Sequence, residues 1–266
     1  MLGLSTKKTY FSAALISLIY QILVTSLFQV LAGTSLERFF VLLGGDFKNG
    51  GVIQGFIIFA STWAFLEIKE KRRHVKKEFH GLCLSLLPTG ERHVLLPMDL
   101  PNIEKKLNKL DKKYHDLLIR RVLFSAISKF KSTSSMAETI DIIAIQSEVN
   151  RELHESGQNN IRYLLWLIPS IGFMGTVLGI SQSLTIADSG NMKEITSTLG
   201  IAFDTTLVSL ILSAVVTGFF HRLQEETEKL HAHLKDYVIS NFVNRLEIRR
   251  FTNPNMKIPP HSNKAS

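Results

Sequence analysis

Two long apolar segments joined by a short polar turn constrain this chain more than any other feature of its sequence. They cover residues 161–186 and 195–220, and the turn covers residues 187–194. About 20 apolar residues suffice to cross the hydrocarbon core of a bilayer, because each helical residue adds roughly 1.5 Å. Each segment is therefore long enough to span a membrane as an α-helix.

Two further apolar segments lie near the N-terminus, at residues 11–31 and 51–66. The first is longer than the apolar core of a signal peptide and has no clear small-residue cleavage site after it, so it is expected to stay in the protein as an anchor. The sequence thus predicts an all-α integral membrane protein with four transmembrane helices and long cytoplasmic helical extensions.

The distribution of charge predicts the orientation of these spans. The formal net charge is +8, with 17 basic and 12 acidic residues in 68–160 and 8 basic and 5 acidic residues in 221–266. The two turns on the other side, 32–50 and 187–194, carry no net positive charge. Positive charge favours the cytoplasmic side, so both termini are predicted to be cytoplasmic. No recognition motif accompanies the basic residues, and nucleic-acid binding is not predicted.

The strongest basic element is the run Lys69–Lys77, directly after the second apolar segment. Such runs lie near anionic lipid head groups, so membrane lipids are expected partners. The helix of the second span is predicted to continue to about Leu87. The fourth is predicted to continue as an amphipathic cytoplasmic helix to Arg250.

These signals divide the chain into five parts. They are a first transmembrane hairpin (1–67), a cytoplasmic helical insert (68–160), a second transmembrane hairpin (161–222), a cytoplasmic helical extension (223–250) and a flexible tail (251–266). Within the insert, apolar residues at helical spacing predict helices over Asn102–Phe130 and Met136–Gly157. Ser135 is the predicted N-cap of the second, with Glu138 as its capping-box partner.

Small and hydroxylic residues form one stripe on each of the last two spans. Spacings of three and four residues place them on one helix face. On the third span they are Gly172, Thr176, Gly179 and Ser183, and on the fourth Ala202, Thr206, Ser209, Ser213 and Thr217. Small residues allow close helix packing and hydroxyls bond across the contact, and the two stripes are also compatible with a narrow wet path.

Helix geometry predicts that two of these hydroxyls lie at the same depth. Thr176 lies 11 residues before Ala187 and Thr206 lies 12 residues after Glu194. At about 1.5 Å per residue, each is roughly 17 Å from the outer turn, near the middle of the hydrocarbon core. The Gly172/Gly179 edge is predicted to lie at a subunit or pore contact, where only small side chains fit.

Asp204 is a carboxylate inside the fourth span, where it is costly unless it is paired, hydrated or protonated. On a helix it lies about 200° from Thr206, so it is expected to face away from the stripe, towards a neighbouring helix or subunit. Two interpretations stay open. Asp204 is either a structural carboxylate paired with a hydroxyl, or a relay site for ions.

Signatures of catalysis are not found: the sequence has no phosphate-binding loop, no Gly-x-Ser-x-Gly and no His-Glu-x-x-His. The cytoplasmic carboxylates alternate with lysines and are typical of solvated helix faces. An enzyme is not predicted. The single cysteine, Cys83, excludes an internal disulfide.

Two segments resemble the MotA/TolQ/ExbB proton-channel family. IPSIGFMGTVLGI (Ile168–Ile180) is similar to its Pro-x-Ile-Gly-x-x-Gly-Thr-Val-x-Gly-Ile signature. AFDTTLVSLILS (Ala202–Ser213) is similar to its next span, with Thr205 where Ala is common and Ser209 where Gly is common. Four spans with a cytoplasmic insert resemble MotA more than the three-span members.

The resemblance implies a homopentamer in a bacterial inner membrane, built around a dimer of a single-span MotB/ExbD/TolR-like protein whose membrane Asp carries the ion. No cofactor is implied beyond the translocated H⁺ or Na⁺. The implied ion-path residues are Thr176, Thr206, Thr205, Ser209 and Asp204. The implied helix-packing residues are Pro169, Gly172, Gly175, Gly179, Ser183 and Ser213.

The function that follows is an ion-conducting A subunit, or stator, of a motor that converts ion-motive force into mechanical work through a B subunit. A non-conducting membrane scaffold that recruits a cytoplasmic partner is the alternative. Hydroxyls in register on two adjacent spans favour the first, because a scaffold needs only small residues at its contacts. The process that the motor drives stays open.

Overall fold

The computed structural model describes residues 2–31, 33–34, 36–46, 51–84, 86–87, 94–110, 114, 116–188 and 190–246. The predicted flexible tail, 251–266, lies outside these residues. Eight α-helices are present in the described part: α1 (Leu2–Leu31), α2 (Glu37–Leu42), α3 (Val52–Leu82), α4 (Leu100–Asn108), α5 (Leu118–Thr133), α6 (Met136–Ser156), α7 (Asn159–Ala187) and α8 (Met192–Asn241).

The predicted fold class is confirmed. Four helical segments of the described residues are long and apolar enough to cross a membrane: Lys8–Leu31 in α1, Val52–Leu82 (α3), Met136–Ala187 (α6 and α7) and Met192–Arg245 (α8 and the residues after it). No strand occurs among the described residues, which form only an isolated bridge between Leu95 and Leu246. The chain divides into two compact units, 1–80 with 148–232 and 81–147 with 233–266.

The first unit holds the four apolar helices. Its connection between α1 and α3 was predicted as a turn, but it contains the short helix α2 and folds back along α1. The Gln21 amide donates to the Gly44 carbonyl at 2.8 Å, and Gln21 lies ten residues before the end of α1, about 15 Å along its axis. After α2, Gly44 adopts a φ of 94°, which is favourable only for glycine.

Polar groups in this connection are satisfied by side chains from the spans. Gln54, which is 1% exposed, donates to the carbonyls of Val41 and Leu42 at the end of α2. The Val41 carbonyl also accepts the Gly44 N–H at 3.0 Å. The Leu42 carbonyl is among the last of α2 and has no partner within the helix, and leaving it unpaired in an apolar environment is costly. The polar residue inside the second apolar segment thus holds the connection in place.

At the other end of the first unit, charged and polar pairs join the helices just beyond their apolar parts. Arg72 on α3 donates to both carboxylate oxygens of Glu226 on α8. The buried Glu67 of α3 accepts a hydrogen bond from the Asn160 side chain of α7. These contacts join α3 to α8 and to α7 just beyond their apolar parts.

The second unit is a small helical cluster with an apolar core that includes Leu107, Leu123 and Ile127, each at most 1% exposed. The predicted helix over Asn102–Phe130 is wrong as a single element. Residues 109–117 separate α4 from α5, because Leu117 is extended and its buried side chain belongs to the core. Pro101 lies in the first turn of α4, where its missing N–H costs nothing.

Three helix ends differ in detail from the predictions. Ser135 accepts the Glu138 backbone N–H at 3.4 Å, as predicted, but the Glu138 side chain pairs with Lys129 at 2.7 Å. Helix α3 ends at Leu82 rather than Leu87. Helix α8 ends at Asn241 rather than Arg250, and the carbonyl of Arg245 then accepts the Leu95 N–H at 2.7 Å.

Candidate functional site

Small residues on α7 bring its backbone against α8. A side-chain carbon added at Gly172 would lie 1.9 Å from Ser209 Oγ, one at Gly175 would lie 2.6 Å from Thr205 Oγ1, and one at Gly179 would lie 2.4 Å from the Ala202 Cβ. None of these distances is possible for real atoms. The three glycines therefore set the separation of the two helices.

This arrangement corrects the prediction that the Gly172/Gly179 edge meets another subunit or a pore. The glycines meet the fourth span of the same chain. The two stripes face each other directly, because glycine leaves room for the hydroxyl side chains of the opposing helix. The predicted stripes are thus a helix contact within the chain.

Two hydroxyls meet in this contact, at the same height. Thr176 Oγ1 of α7 and Thr206 Oγ1 of α8 are hydrogen-bonded to each other. Thr176 Oγ1 also lies 3.2 Å from the Ala202 carbonyl, and Thr206 Oγ1 lies 3.1 Å from the Gly172 carbonyl. The predicted level position of the two threonines is confirmed, and each hydroxyl reaches a backbone carbonyl of the opposite helix.

The hydrogen bonds of this pair have two equivalent arrangements. Each hydroxyl has one proton and can both donate and accept. Either Thr206 donates to Thr176 and Thr176 donates to the Ala202 carbonyl, or Thr176 donates to Thr206 and Thr206 donates to the Gly172 carbonyl. In each arrangement the hydroxyl that donates to the backbone accepts from its partner. The pair can thus reverse its direction without losing a hydrogen bond.

The other predicted hydroxyls are buried around the pair. Thr205 and Ser209 are both 0% exposed. Thr205 Oγ1 donates to the Ala202 carbonyl at 2.7 Å, and Ser209 Oγ donates to the Thr206 carbonyl at 2.9 Å. On α7, Ser183 Oγ donates to the Gly179 carbonyl at 2.9 Å. These side chains bond to the backbone, and in this arrangement only Thr176 and Thr206 form a hydroxyl pair.

The two remaining packing candidates contribute less. Pro169 lies inside α7, where it removes one backbone N–H from the helix. Ser213 is half-buried on α8.

The threonine pair opens to an apolar surface. Thr176 and Thr206 are half-buried, unlike Thr205 and Ser209. Large apolar side chains around them are exposed, among them Phe173, Val177, Phe203 and Leu210, each at least 50% exposed. A pair of hydroxyls in the middle of an exposed apolar face is a polar contact point for a further helix.

Asp204 faces away from the threonine pair, as the helical angle predicts. It pairs with Arg38 of α2, whose Nη2 lies 3.1 Å from Oδ1 and 2.9 Å from Oδ2. The carboxylate side chain is 10% exposed, whereas the Arg38 side chain is 63% exposed. The predicted hydroxyl partner is wrong, and the structure does not bring Asp204 together with Thr176 and Thr206.

Sequence analysis missed Arg38 as the partner of Asp204. The available signal was weak: an Asp inside a span requires a partner, and Arg38 is the first basic residue after the first span. Its pairing depends on the backward fold of the connection, which brings α2 to the side of α8. A cavity of about 400 Å³ lies beside the pair, lined by Arg38, Glu37, Asp46, Thr34 and Ser197 among others.

Comparison with protein families identifies the second hairpin. Residues 114–236 match the model of the MotA/TolQ/ExbB proton channel family. This match covers 123 of the 266 residues of the chain. No curated protein and no solved structure matches the chain significantly.

The extent of this family domain agrees with the position of the candidate site. It includes α5 and α6, the whole of α7 and most of α8, and therefore both segments whose sequence resembles the family. The first hairpin, with Arg38, lies outside the match. The matched family is described as a proton channel family.

Proposed function

We propose that this chain is the ion-conducting A subunit of a two-component motor driven by proton- or sodium-motive force. The observation that carries the proposal is the half-buried Thr176–Thr206 pair at the middle of two apolar helices. An ionisable group in the membrane requires polar contacts at its own depth. The threonine pair would supply such a contact to a carboxylate on a neighbouring helix.

The expected partner is a single-span B subunit with one carboxylate in its membrane helix. Its apolar side chains would pack on the exposed face around Phe173 and Phe203, and its carboxylate would lie at the level of the threonine hydroxyls. A hydroxyl donates to the ionised carboxylate and accepts from the protonated one. The reversible threonine pair would thus accommodate both states of the partner as the ion enters and leaves.

The assembly implied by this function is a pentamer of the chain around a dimer of the B subunit, in a bacterial inner membrane. A ring offers several threonine pairs to few carboxylates, so that successive ion transfers would favour rotation by one subunit at a time. The supporting observations are the family domain and the exposed apolar face of α7 and α8. Mass measurement of the complex purified with its B subunit tests the stoichiometry.

The functional test replaces each threonine with valine, which has nearly the same shape but no hydroxyl. Thr206→Val and Thr176→Val are expected to insert and assemble normally but to lower ion flux about tenfold, the factor that corresponds to one lost hydrogen bond of about 1.4 kcal/mol. Flux is measured in vesicles that contain the chain and its B subunit. Thr185→Val is the matched control, because Thr185 is exposed on α7 and bonds only to the Ser181 carbonyl. Wild-type flux in both threonine variants would refute the proposal.

The proposed orientation has a direct probe in Cys83, the only cysteine of the chain, which is exposed. With both termini cytoplasmic, Cys83 follows the second span on the cytoplasmic side. A membrane-impermeant thiol reagent is therefore expected to label it only after the cells are opened. Labelling in intact cells would reverse the proposed orientation.

A further inference from the structure

A groove of about 450 Å³ runs between α1 and α3 in the first hairpin. Its space exists because Ala14, Ser17 and Gly55 are small, and the more exposed Leu18 and Phe56 border it. It lies along the apolar parts of both helices, so that in a membrane it would open towards lipid. A groove of this lining accepts a flexible hydrocarbon chain.

One end of the groove is marked by an aromatic cluster. Tyr10 and Phe59 line it, with ring centroids 5.5 Å apart, and Tyr10 also lies 5.0 Å from Trp63. Tyr and Trp are enriched where a membrane meets water, since their rings are apolar and each also carries one polar group. The cluster therefore places this end of the groove at the membrane surface.

Three basic side chains follow directly beyond that end. Lys69, Arg73 and Lys76 are exposed on one face of α3, and none of them forms an ion pair within the described part of the chain. Their neighbour Arg72 is different, because it pairs with Glu226 of α8. The basic run thus divides into a residue used for internal packing and three cations that face outwards.

We propose that the first hairpin binds an anionic phospholipid. One acyl chain lies in the groove between α1 and α3, and the phosphate contacts Lys69 and Arg73. Lys69 is six residues beyond Trp63, about 9 Å along the helix, and a lysine chain can extend back towards the membrane surface. The groove, the aromatic cluster and the outward cations follow one another along the hairpin. They match the acyl chain, the membrane surface and the phosphate of a phospholipid, in that order. This site is independent of the proposed ion path.

The test measures lipid retention by the purified full-length chain, using native mass spectrometry with dioleoyl phosphatidylglycerol and dioleoyl phosphatidylcholine. The two lipids share their acyl chains and differ in net charge. The wild-type chain is expected to prefer the anionic lipid at least about tenfold, and added salt should weaken this preference. Equal retention of the two lipids by the wild-type chain would overturn the proposal.

Two sets of variants separate the phosphate contact from the groove. Lys69→Gln with Arg73→Gln should abolish the preference, whereas Lys105→Gln with Lys109→Gln, exposed lysines of α4 and the turn after it, should preserve it. Ala14→Leu fills the groove and should reduce retention of both lipids, whereas Ala214→Leu, on an exposed face of α8, should not. Circular dichroism checks the helical content of each variant.

Three further results would overturn the proposal. If the charge variant keeps the preference for phosphatidylglycerol, the basic stripe does not bind the phosphate. If Ala14→Leu and the smaller Ala14→Val both leave retention unchanged, the acyl chain does not lie in the groove. If Ala14→Leu instead dissociates oligomers without affecting lipid, the groove holds a helix of a second copy.

Discussion

The two apolar hairpins both contain polar side chains, but they use them in opposite ways. In the first hairpin, Gln21 and Gln54 donate amide hydrogens to backbone carbonyls of the connection. In the second, Thr176 and Thr206 bond to each other and to carbonyls of the opposite helix. The amides fix one geometry, because their N–H groups only donate. The hydroxyls both donate and accept, so their bonds can reverse.

The difference indicates which hairpin is suited to the proposed ion transfer. The amide hydrogen bonds of Gln21 and Gln54 fix the position of the connection in the first hairpin, with α2 beside α1 and α8. The hydroxyl pair of the second hairpin is half-buried and surrounded by exposed apolar side chains, and its hydrogen bonds can be rearranged at little cost. The first hairpin is therefore a support, and the second carries the candidate site.

The largest expected effect comes from enlarging the glycine contact in the second hairpin. Gly179→Leu would place side-chain atoms where the Ala202 Cβ lies, so α7 and α8 would have to separate, at a cost of about 3 kcal/mol or more. We expect a lower melting temperature in detergent and loss of ion flux. Gly218→Leu is the matched control, because nothing lies within 4 Å of the added carbon. Equal stability of the two variants would show that the helices do not approach closely.

A smaller effect is expected in the first hairpin from Gln54→Leu. This change removes the amide donor from both carbonyls; Val41 keeps the Gly44 N–H, but the Leu42 carbonyl loses its donor, and a buried unpaired group costs about 1–3 kcal/mol. Hydrogen exchange of residues 37–46 should increase, while exchange around Thr176 and Thr206 should not change. Leu23→Gln, at an exposed position of α1, is the control, because it changes a span without removing a hydrogen bond of the connection. Increased exchange in both hairpins would show that the second hairpin depends on the first for its stability.

These expectations show where sequence analysis was sufficient. Helix spacing and length predicted the level hydroxyls, because a continuous helix has a fixed rise and rotation per residue. The Gly172 contact was predicted with the wrong neighbour, since small residues indicate close packing but not which helix is packed. Arg38 could not be found from spacing, because its contact depends on how the connection between α1 and α2 folds back. Local regularity was predictable, and contacts formed by the irregular connection were not.

The ion pair between the hairpins gives a third, asymmetric prediction. Arg38→Gln leaves the mostly buried Asp204 without its cation, whereas Asp204→Asn leaves a mostly exposed arginine that water can solvate. We expect Arg38→Gln to cost more stability, about 1–2 kcal/mol, and the double variant to resemble Asp204→Asn alone. Arg222→Gln, an exposed position of α8, is the control.

Asp204→Asn, compared with Thr206→Val, also tests the interpretation of Asp204 as a relay site for ions. If the carboxylate only anchors α2, Asp204→Asn should lower ion flux less than Thr206→Val does. A flux as low as that of Thr206→Val, with normal assembly, would assign Asp204 to the ion path and would remove the distinction between the two faces of α8.

The smallest effect concerns a pair of histidines outside the spans. It resembles the threonine pair, but its side chains can gain a proton near neutral pH. His231, 11 residues beyond Phe220 on α8, lies with Nε2 3.1 Å from Nδ1 of His154 on α6. A neutral imidazole can donate and accept, as a hydroxyl does. When the accepting ring of the pair gains a second proton, both facing nitrogens carry a hydrogen and the hydrogen bond is lost.

Burial lowers the pKa of His231 below its ordinary value of 6.5, and Arg151 lowers it further, against the opposing influence of Glu155 and Glu148. The opened contact therefore binds more protons than the closed one, and the closed contact is fully stable above about pH 6.5 and loses stability as the pH falls below that value. We expect the melting temperature to decrease between about pH 7.5 and pH 5.5, and His231→Asn to reduce this slope while the exposed control His221→Asn preserves it. An identical slope in the wild-type chain and in His231→Asn would show that this pair does not contribute to the pH dependence of stability.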